Sequence, residues 1–148
     1  MSTLNKDKRK DTKKEIVEAA LLLFYANGYD GTSIRDIAHL AKTNSANISY
    51  YFKNKNGLLE HCFITYLEGY TFILEDEVRL MELHGAKACL RAVISRLLHF
   101  QGDNFRAARF IMREMSLEST LNREVLSTYL AKEKYFMQHI LEYGMTNK

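Results

Sequence analysis

The apolar residues of this chain recur at helical spacing from one end to the other, and none of its 148 residues is proline. One such helical face comprises Ile16, Ala19, Ala20, Leu23 and Phe24, at positions i, i+3, i+4, i+7 and i+8. A proline inside a helix removes a hydrogen bond and clashes with the preceding turn, so its absence permits long uninterrupted helices. Since no alternating apolar pattern indicates a strand, the sequence predicts an all-α protein.

Capping residues and turns divide this pattern into seven predicted helices. The first is expected to end at Gly28. The fourth is expected to run from about residue 56 to the low 80s and the fifth over 86–100. The sixth follows a turn at 102–104, and the seventh ends at about residue 143. The N-cap candidates of the first three helices and the last are, in chain order, Asp11 or Thr12, Thr32 or Ser33, Asn44 or Ser45, and Ser119 or Thr120. The inward face of the sixth predicted helix is expected to comprise Phe105, Ala108, Ile111, Met112 and Met115.

Composition excludes several classes of protein. The two cysteines, Cys62 and Cys89, are too few for a disulfide scaffold and are expected to be reduced, as in the cytoplasm. Neither they nor the five histidines have metal-ligand spacing, so no metal or cofactor is expected. The chain has no phosphate-binding glycine loop and no nucleophile elbow, and we expect that it is not an enzyme. The longest apolar run, 19–26, is too short to span a membrane.

Positive charge is concentrated at the N-terminal end. Residues 1–55 hold ten basic and six acidic residues, whereas the rest of the chain is nearly neutral. This asymmetry favours an anionic partner such as nucleic acid, although a solvated lysine-rich tail would give the same count. The expected organisation is a basic flexible tail (1–10), a helix-turn-helix DNA-binding domain (11–55) and a helical regulatory and dimerisation domain (56–148).

Residues 33–52 predict two short helices joined by a turn of three or four residues, the arrangement of a helix-turn-helix. The second of these helices can enter the DNA major groove, where small and hydrogen-bonding side chains read base edges. Lys53 and Lys55 follow it and can meet phosphates by charge. An ordinary helical hairpin with a polar surface is the alternative. The exposed side of the second helix is expected to present Ser45, Ala46, Asn47, Ser49 and Tyr50.

Residues 12–60 resemble the TetR family of bacterial transcription regulators, through the run GTSIRDIA at 31–38 and the run ISYYFKNK at 48–55. The resemblance implies a homodimer that binds roughly palindromic double-stranded DNA. It further implies phosphate contacts by Thr32, Ser33, Tyr51 and Lys55, a base or phosphate contact by Arg35, and recognition-helix contacts by Asn44, Ser45, Asn47 and Tyr50. The chain departs from the family at Ser49, where many members have tyrosine, and at Lys42, where most have glycine.

TetR-like chains usually continue for two further helices that form the dimer's four-helix bundle, and this chain resembles a member that lacks them. Segments 57–61, 68–70, 113–114, 119–121 and 127–135 resemble a TetR-like regulator of the division protein FtsZ in spore-forming bacteria. That likeness implies a nucleoid-associated, cytoplasmic protein that binds chromosomal motifs and modulates FtsZ-ring assembly and position.

Arg106, Arg109 and Arg113 share one face of the sixth predicted helix. They form a candidate surface for FtsZ or another acidic partner, although a solvated charged face is the commoner meaning of such a pattern. The alternative function is a ligand-responsive repressor of transport or metabolic genes, whose effector is unknown. A cavity with convergent polar groups among the later helices would favour the repressor, and a fully packed interior would favour the FtsZ regulator.

Overall fold

The computed structural model describes the backbone of residues 2–115 and 120–147, and the side chains of residues 11–114 and 123–147. Within these ranges the chain is helical and has no strand, which confirms the all-α prediction. The helices are α1 (Ser2–Asn27), α2 (Ile34–Leu40), α3 (Ser45–Phe52), α4 (Lys55–Arg79), α5 (Met81–His84), α6 (Ala86–Asp103), α7 (Phe105–Met115) and α8 (Thr120–Thr146). None of the described helices is long and apolar enough to cross a membrane.

The first helix begins earlier than the sequence indicates. The sequence predicts a cap at Asp11 or Thr12 with a flexible tail before it, but α1 already starts at Ser2. No glycine or proline lies between residues 2 and 27, and lysine and arginine have good helix propensity, so nothing in this segment stops the helix. Gly28 ends α1 as predicted, with a φ of +76°. The predicted cap at Ser119 lies outside the described residues.

The long predicted helix is divided into two. α4 ends at Arg79, where the N–H of Leu80 donates to the carbonyls of Glu77 and Val78, and the single turn of α5 follows. This break brings Met81 into the core, where it is fully buried. α6 continues past its expected end at residue 100 to Asp103, so that only Asn104 separates it from α7.

One core joins the N-terminal helices to α4 and α7. Phe24 and Phe110, both fully buried, stack with their ring centroids 5.2 Å apart. The predicted inward face of α7 is partly wrong, because Phe105 and Met112 are more than half exposed. The helix is rotated so that Ala107 and Phe110 face the core together with the expected Ala108 and Ile111. Packing against α1 therefore decides the orientation of α7. The expected burial of Met115 falls on a side chain outside the described residues.

A second core lies between α4, α6 and α8. It contains Leu74 of α4, Cys89 and Val93 of α6, and Ile140 of α8, together with Met81 of α5. Arg96 of α6 ties the same helices together through ion pairs of 2.7 Å to Asp76 and 2.6 Å to Glu77. Because α4 contributes to both cores, it connects the N-terminal helices to the rest of the chain.

Candidate nucleic-acid interface

A reciprocal pair of hydrogen bonds fixes the start of α2. Ser33 is the N-cap, and its hydroxyl accepts from the backbone N–H of Asp36 at 3.1 Å. The Asp36 carboxylate in turn accepts from the backbone N–H of Ser33 at 3.1 Å. Hydrogen bonds from the Ser33 side chain and backbone lower the pKa of Asp36, so the carboxylate stays ionised at the positive end of the helix.

The start of α3 is fixed by Asn44, whose side-chain oxygen accepts from the N–H of Asn47 at 2.8 Å. Of the two candidate caps, Asn44 is therefore the one used. Ile48 and Phe52 are buried and hold α3 against the rest of the N-terminal core. With these residues directed inward, α3 exposes a row of small and polar side chains, as the helix-turn-helix hypothesis requires.

The predicted contact residues are exposed to different degrees. Thr32 is buried, and its hydroxyl donates to the carbonyl of Gly28 at 2.8 Å, so its side chain belongs to the α1–α2 turn. Asn47 is half-buried and donates from Nδ2 to the hydroxyl of Thr43 at 2.8 Å. The exposed members are Ser33, Arg35, Asn44, Ser49, Tyr50 and Lys53, and the half-buried ones are Ser45, Asn47, Tyr51 and Lys55.

Lys55 makes internal contacts that the sequence does not reveal. Its ammonium donates to the carbonyls of Tyr29 and Thr32, both at 3.0 Å, and lies 4.2 Å from the centroid of the Tyr29 ring. Two of its three donors are thus directed to the turn before α2. Lys55 joins the start of α4 to this turn, and so helps to set the position of α2 and α3.

Two lysines have a positive φ in the turns around α3. Lys42, at the α2–α3 turn, has a φ of +51°, the conformation for which glycine is better suited. Lys53 has a φ of 68° and a ψ of −56°, and the N–H of Asn54 donates across it to the carbonyl of Phe52 at 2.8 Å. This is a γ-turn, which is rare and strained. The sharp reversal places α3 directly against the start of α4.

This reversal requires a glycine at position 57, which was not identified from the sequence alone. Asn54 caps α4 by accepting from the N–H of Gly57 at 2.9 Å, and a Cβ at Gly57 would overlap the carbonyl oxygen of Phe52. The signal in the sequence is a glycine three residues after an asparagine cap. The position of α3 depends on this close backbone approach.

The arginines of α7 do not form one uniform surface. Arg106 and Arg109 are exposed, as expected. Arg113 donates from Nη2 to the carbonyl of Phe24 at 2.9 Å and lies 3.6 Å from the carboxylate of Glu114. It therefore anchors α7 to the end of α1. No three histidine, cysteine, aspartate or glutamate residues in the described part of the chain are grouped to hold a metal ion.

Comparison with known proteins agrees with this geometry. Residues 16–62 match the family model described as bacterial regulatory proteins, tetR family. Residues 16–62 are therefore similar to the helix-turn-helix domain of the TetR family. The match covers α2, α3 and the start of α4, together with the part of α1 that packs against them.

The relatives extend this likeness beyond the domain. The chain is 43% identical over 133 residues to a protein of Bacillus subtilis named "Probable HTH-type transcriptional regulator YttP", across 90% of this chain and 64% of that protein. It is 36% identical over 58 residues to IcaR of Staphylococcus aureus, a negative transcriptional regulator of the biofilm operon icaADBC, across 37% of this chain and 31% of IcaR.

Among solved structures, the TetR-family transcriptional regulator PfmR of Thermus thermophilus superposes with a TM-score of 0.76 at 22% identity. The superposition covers 88% of this chain and 70% of PfmR, and it shows that the fold is shared. The chain thus spans about two thirds of the length of YttP and of PfmR. None of these three names mentions FtsZ, so the FtsZ relationship stays a proposal.

Proposed function

We propose that this protein is a TetR-type transcriptional regulator that binds double-stranded DNA as a homodimer and represses transcription. The exposed polar row on α3 carries this proposal. Asn44 caps that helix, and buried Ile48 and Phe52 fix its rotation. Two copies would place two α3 helices in successive major grooves about 34–36 Å apart, which requires a roughly palindromic operator.

The proposed contacts follow from exposure. We assign base contacts to Arg35 of α2 and to residues from the cap of α3 to Tyr50, and phosphate contacts to the cap of α2, the end of α3 and the turn after it. The base-contacting candidates are Arg35, Asn44, Ser45, Asn47, Ser49 and Tyr50. The phosphate-contacting candidates are Ser33, Tyr51 and Lys53.

Genome-wide mapping of bound DNA, followed by gel-shift titration of the sites found, tests this function. Tyr50 is 74% exposed on α3, and Tyr135 is 63% exposed on α8, so the pair offers a matched comparison. Tyr50→Ala is expected to weaken operator binding by about 1–3 kcal/mol, as expected for the loss of a direct contact, and Tyr135→Ala to leave it unchanged. Absence of enriched sites, or equal affinity of the two variants, would contradict the proposal.

A cavity favours the ligand-responsive form of this function. A space of about 240 Å³ lies between α4, α6, α7 and α8, and its wall includes the polar side chains of Tyr66, Tyr70, Gln101, Tyr129 and Glu133. This is the arrangement of converging polar groups in an apolar pocket that small-molecule sites show. The effect of a ligand bound there would be transmitted to α2 and α3 through α7. Ile111 of α7 contributes both to the cavity wall and to the N-terminal core.

The finer proposal is the one that the resemblance implies: a function like that of RefZ, the TetR-like regulator of FtsZ, with binding to chromosomal motifs and an effect on FtsZ-ring assembly. The exposed Arg106 and Arg109 support it, because they offer positive charge to an acidic partner. Arg113 is less suited to this role because it bonds to Phe24.

Co-sedimentation with purified FtsZ separates this proposal from the ligand-responsive form. The double variant Arg106→Glu with Arg109→Glu is expected to lose FtsZ binding and to keep DNA binding. Arg91→Glu, on the exposed surface of α6, is the control for the change of charge. FtsZ binding that survives in the double variant would remove the proposed partner surface.

A further inference from the structure

Four of the five polar side chains that line the cavity lie in two facing pairs on α4 and α8. Tyr66 and Tyr70 lie one turn apart on α4, and Tyr129 and Glu133 lie one turn apart on α8, so each pair shares one helix face. The two pairs meet across the cavity, since the hydroxyl of Tyr70 donates to Oε1 of Glu133 at 2.9 Å.

The charge of the cavity wall is negative. Among the lining residues whose side chains the structure describes, Glu133 is the one that carries a formal charge. A carboxylate has about four acceptor positions, and the Tyr70 hydroxyl occupies one of them. Glu68 also acts on this end of the cavity, since its negative charge adds to the effect of burial in raising the pKa of Tyr129.

The tyrosine rings add a second attraction for positive charge. The face of an aromatic ring carries negative electrostatic potential and attracts an ammonium group within about 6 Å of the centroid. Tyr129 already shows this attraction, because Nζ of the exposed Lys132 lies 5.0 Å from its ring centroid. Burial raises the pKa of Tyr66 and of Tyr70, so that both remain neutral aromatic groups around neutral pH.

We propose that this cavity binds a small organic cation, an alkylammonium or aryl ammonium compound. Its positive charge would lie beside Glu133 and among the tyrosine rings, and its apolar part would pack against Ile111 and Met112 of α7. The binding site stands independently of DNA binding, whereas its role as an effector site rests on the proposed regulatory function.

Isothermal titration with two probes of nearly equal shape tests the site. Phenyltrimethylammonium carries the charge, and tert-butylbenzene is its neutral analogue. The cation is expected to bind about tenfold more tightly than the neutral probe, which corresponds to about 1.4 kcal/mol. Glu133→Gln keeps an acceptor for Tyr70 and is expected to remove most of that preference, with little effect on the neutral probe. Glu142→Gln, on the exposed surface of the same helix, is the matched control.

Tyr129→Leu is a second variant, which removes one aromatic ring and leaves an apolar side chain in its place. It is expected to weaken binding of the cation and to spare the neutral probe. Circular dichroism confirms that each variant is folded before titration. The proposal is overturned if the wild-type protein binds neither probe, if the neutral probe binds as tightly as the cation, or if Glu133→Gln retains the preference.

The outcome for the proposed function is read separately, by gel shift with and without phenyltrimethylammonium. A cation that binds and lowers operator affinity supports both inferences. Binding without a change in operator affinity supports the site and rejects its role as an effector site. Failure to bind any operator concerns the DNA-binding function alone, because the titration contains no DNA.

Discussion

The ammonium group of Lys55 can either contact phosphate or hold the protein together, and its two internal hydrogen bonds favour the second role. We infer that Lys55 acts as a positioning residue, by joining the start of α4 to the turn before α2 through the carbonyls of Tyr29 and Thr32. Lys53, two residues earlier, is exposed and free to meet a phosphate on bound DNA. Variants of the two lysines therefore distinguish a positioning role from a direct electrostatic contact.

Lys55→Met is expected to lower the free energy of unfolding by about 1 kcal/mol, since it removes two hydrogen bonds from a charged donor at a half-exposed site. It should weaken DNA binding without changing the dependence of affinity on salt. Lys53→Met should leave the free energy of unfolding unchanged and should reduce the slope of affinity against salt by about 0.9, for one lost phosphate contact. Urea denaturation and gel shifts over a range of salt measure both. A reduced slope in Lys55→Met would instead show that Lys55 contacts phosphate, as the family resemblance implies.

Lys42 stores conformational strain in the turn between α2 and α3. A residue with a side chain in the left-handed region costs about 1–2 kcal/mol, whereas glycine loses part of this advantage through the entropy of the unfolded chain. Lys42→Gly is therefore expected to raise the free energy of unfolding by about 0.5–1 kcal/mol. Lys42→Ala removes the same charge but keeps the strain, so thermal denaturation of the two variants isolates the backbone effect. Equal stabilities would show that the positive φ costs nothing.

At the level of helices, Gly57 determines how closely α3 approaches α4. A methyl group there would overlap the carbonyl of Phe52, which is backbone and cannot move without displacing α3. Gly57→Ala is expected to destabilise the protein by about 1–3 kcal/mol, as overpacking does, and to weaken operator binding. Gly102→Ala in α6 is the control, since no atom lies within 4 Å of the added methyl group. That variant should be neutral or stabilising, because alanine is the better helix former. Stability measurements that rank the two variants alike would contradict the close approach.

The helices that could be predicted from sequence are those whose signals are local. Ser33 and Asn44 are hydrogen-bonded caps of the kind that their residue types indicate, and Gly28 ends α1. The rotation of α7 could not be predicted, because its amphipathic pattern allows either Phe105 or Phe110 to face inward. Stacking of Phe110 on Phe24, a residue far away in sequence, decides between them.

The same limit applies to the candidate interface. Spacing predicted the exposure of Ala46, Ser49 and Tyr50 on α3, whereas Ser45 and Asn47 are half-buried. The inward hydroxyl of Thr32 and the internal bonds of Lys55 depend on contacts between separate helices. Such contacts leave no periodic signal in the sequence.

In the molecule as a whole, α7 is placed to connect the cavity to the helices α1 and α2. Ile111 and Met112 line the cavity, while Phe110 and Arg113 contact Phe24 near the end of α1. A shift of α7 caused by a bound ligand would therefore displace the turn that leads into α2. The hydrogen bond from Arg113 to the Phe24 carbonyl is one polar contact in this connection.

Arg113→Met keeps much of the aliphatic length of the side chain and removes its donors, so it tests that connection directly. We expect a loss of about 1–2 kcal/mol in stability, since a charged donor to a partly buried carbonyl is removed. Hydrogen exchange should accelerate at the amides of 24–32 and remain unchanged in α8. Arg109→Met, an exposed arginine one turn earlier on α7, should leave both regions protected. Equal exchange at 24–32 in the two variants would mean that apolar packing alone holds α7 against α1, and that Arg113 adds nothing to the connection.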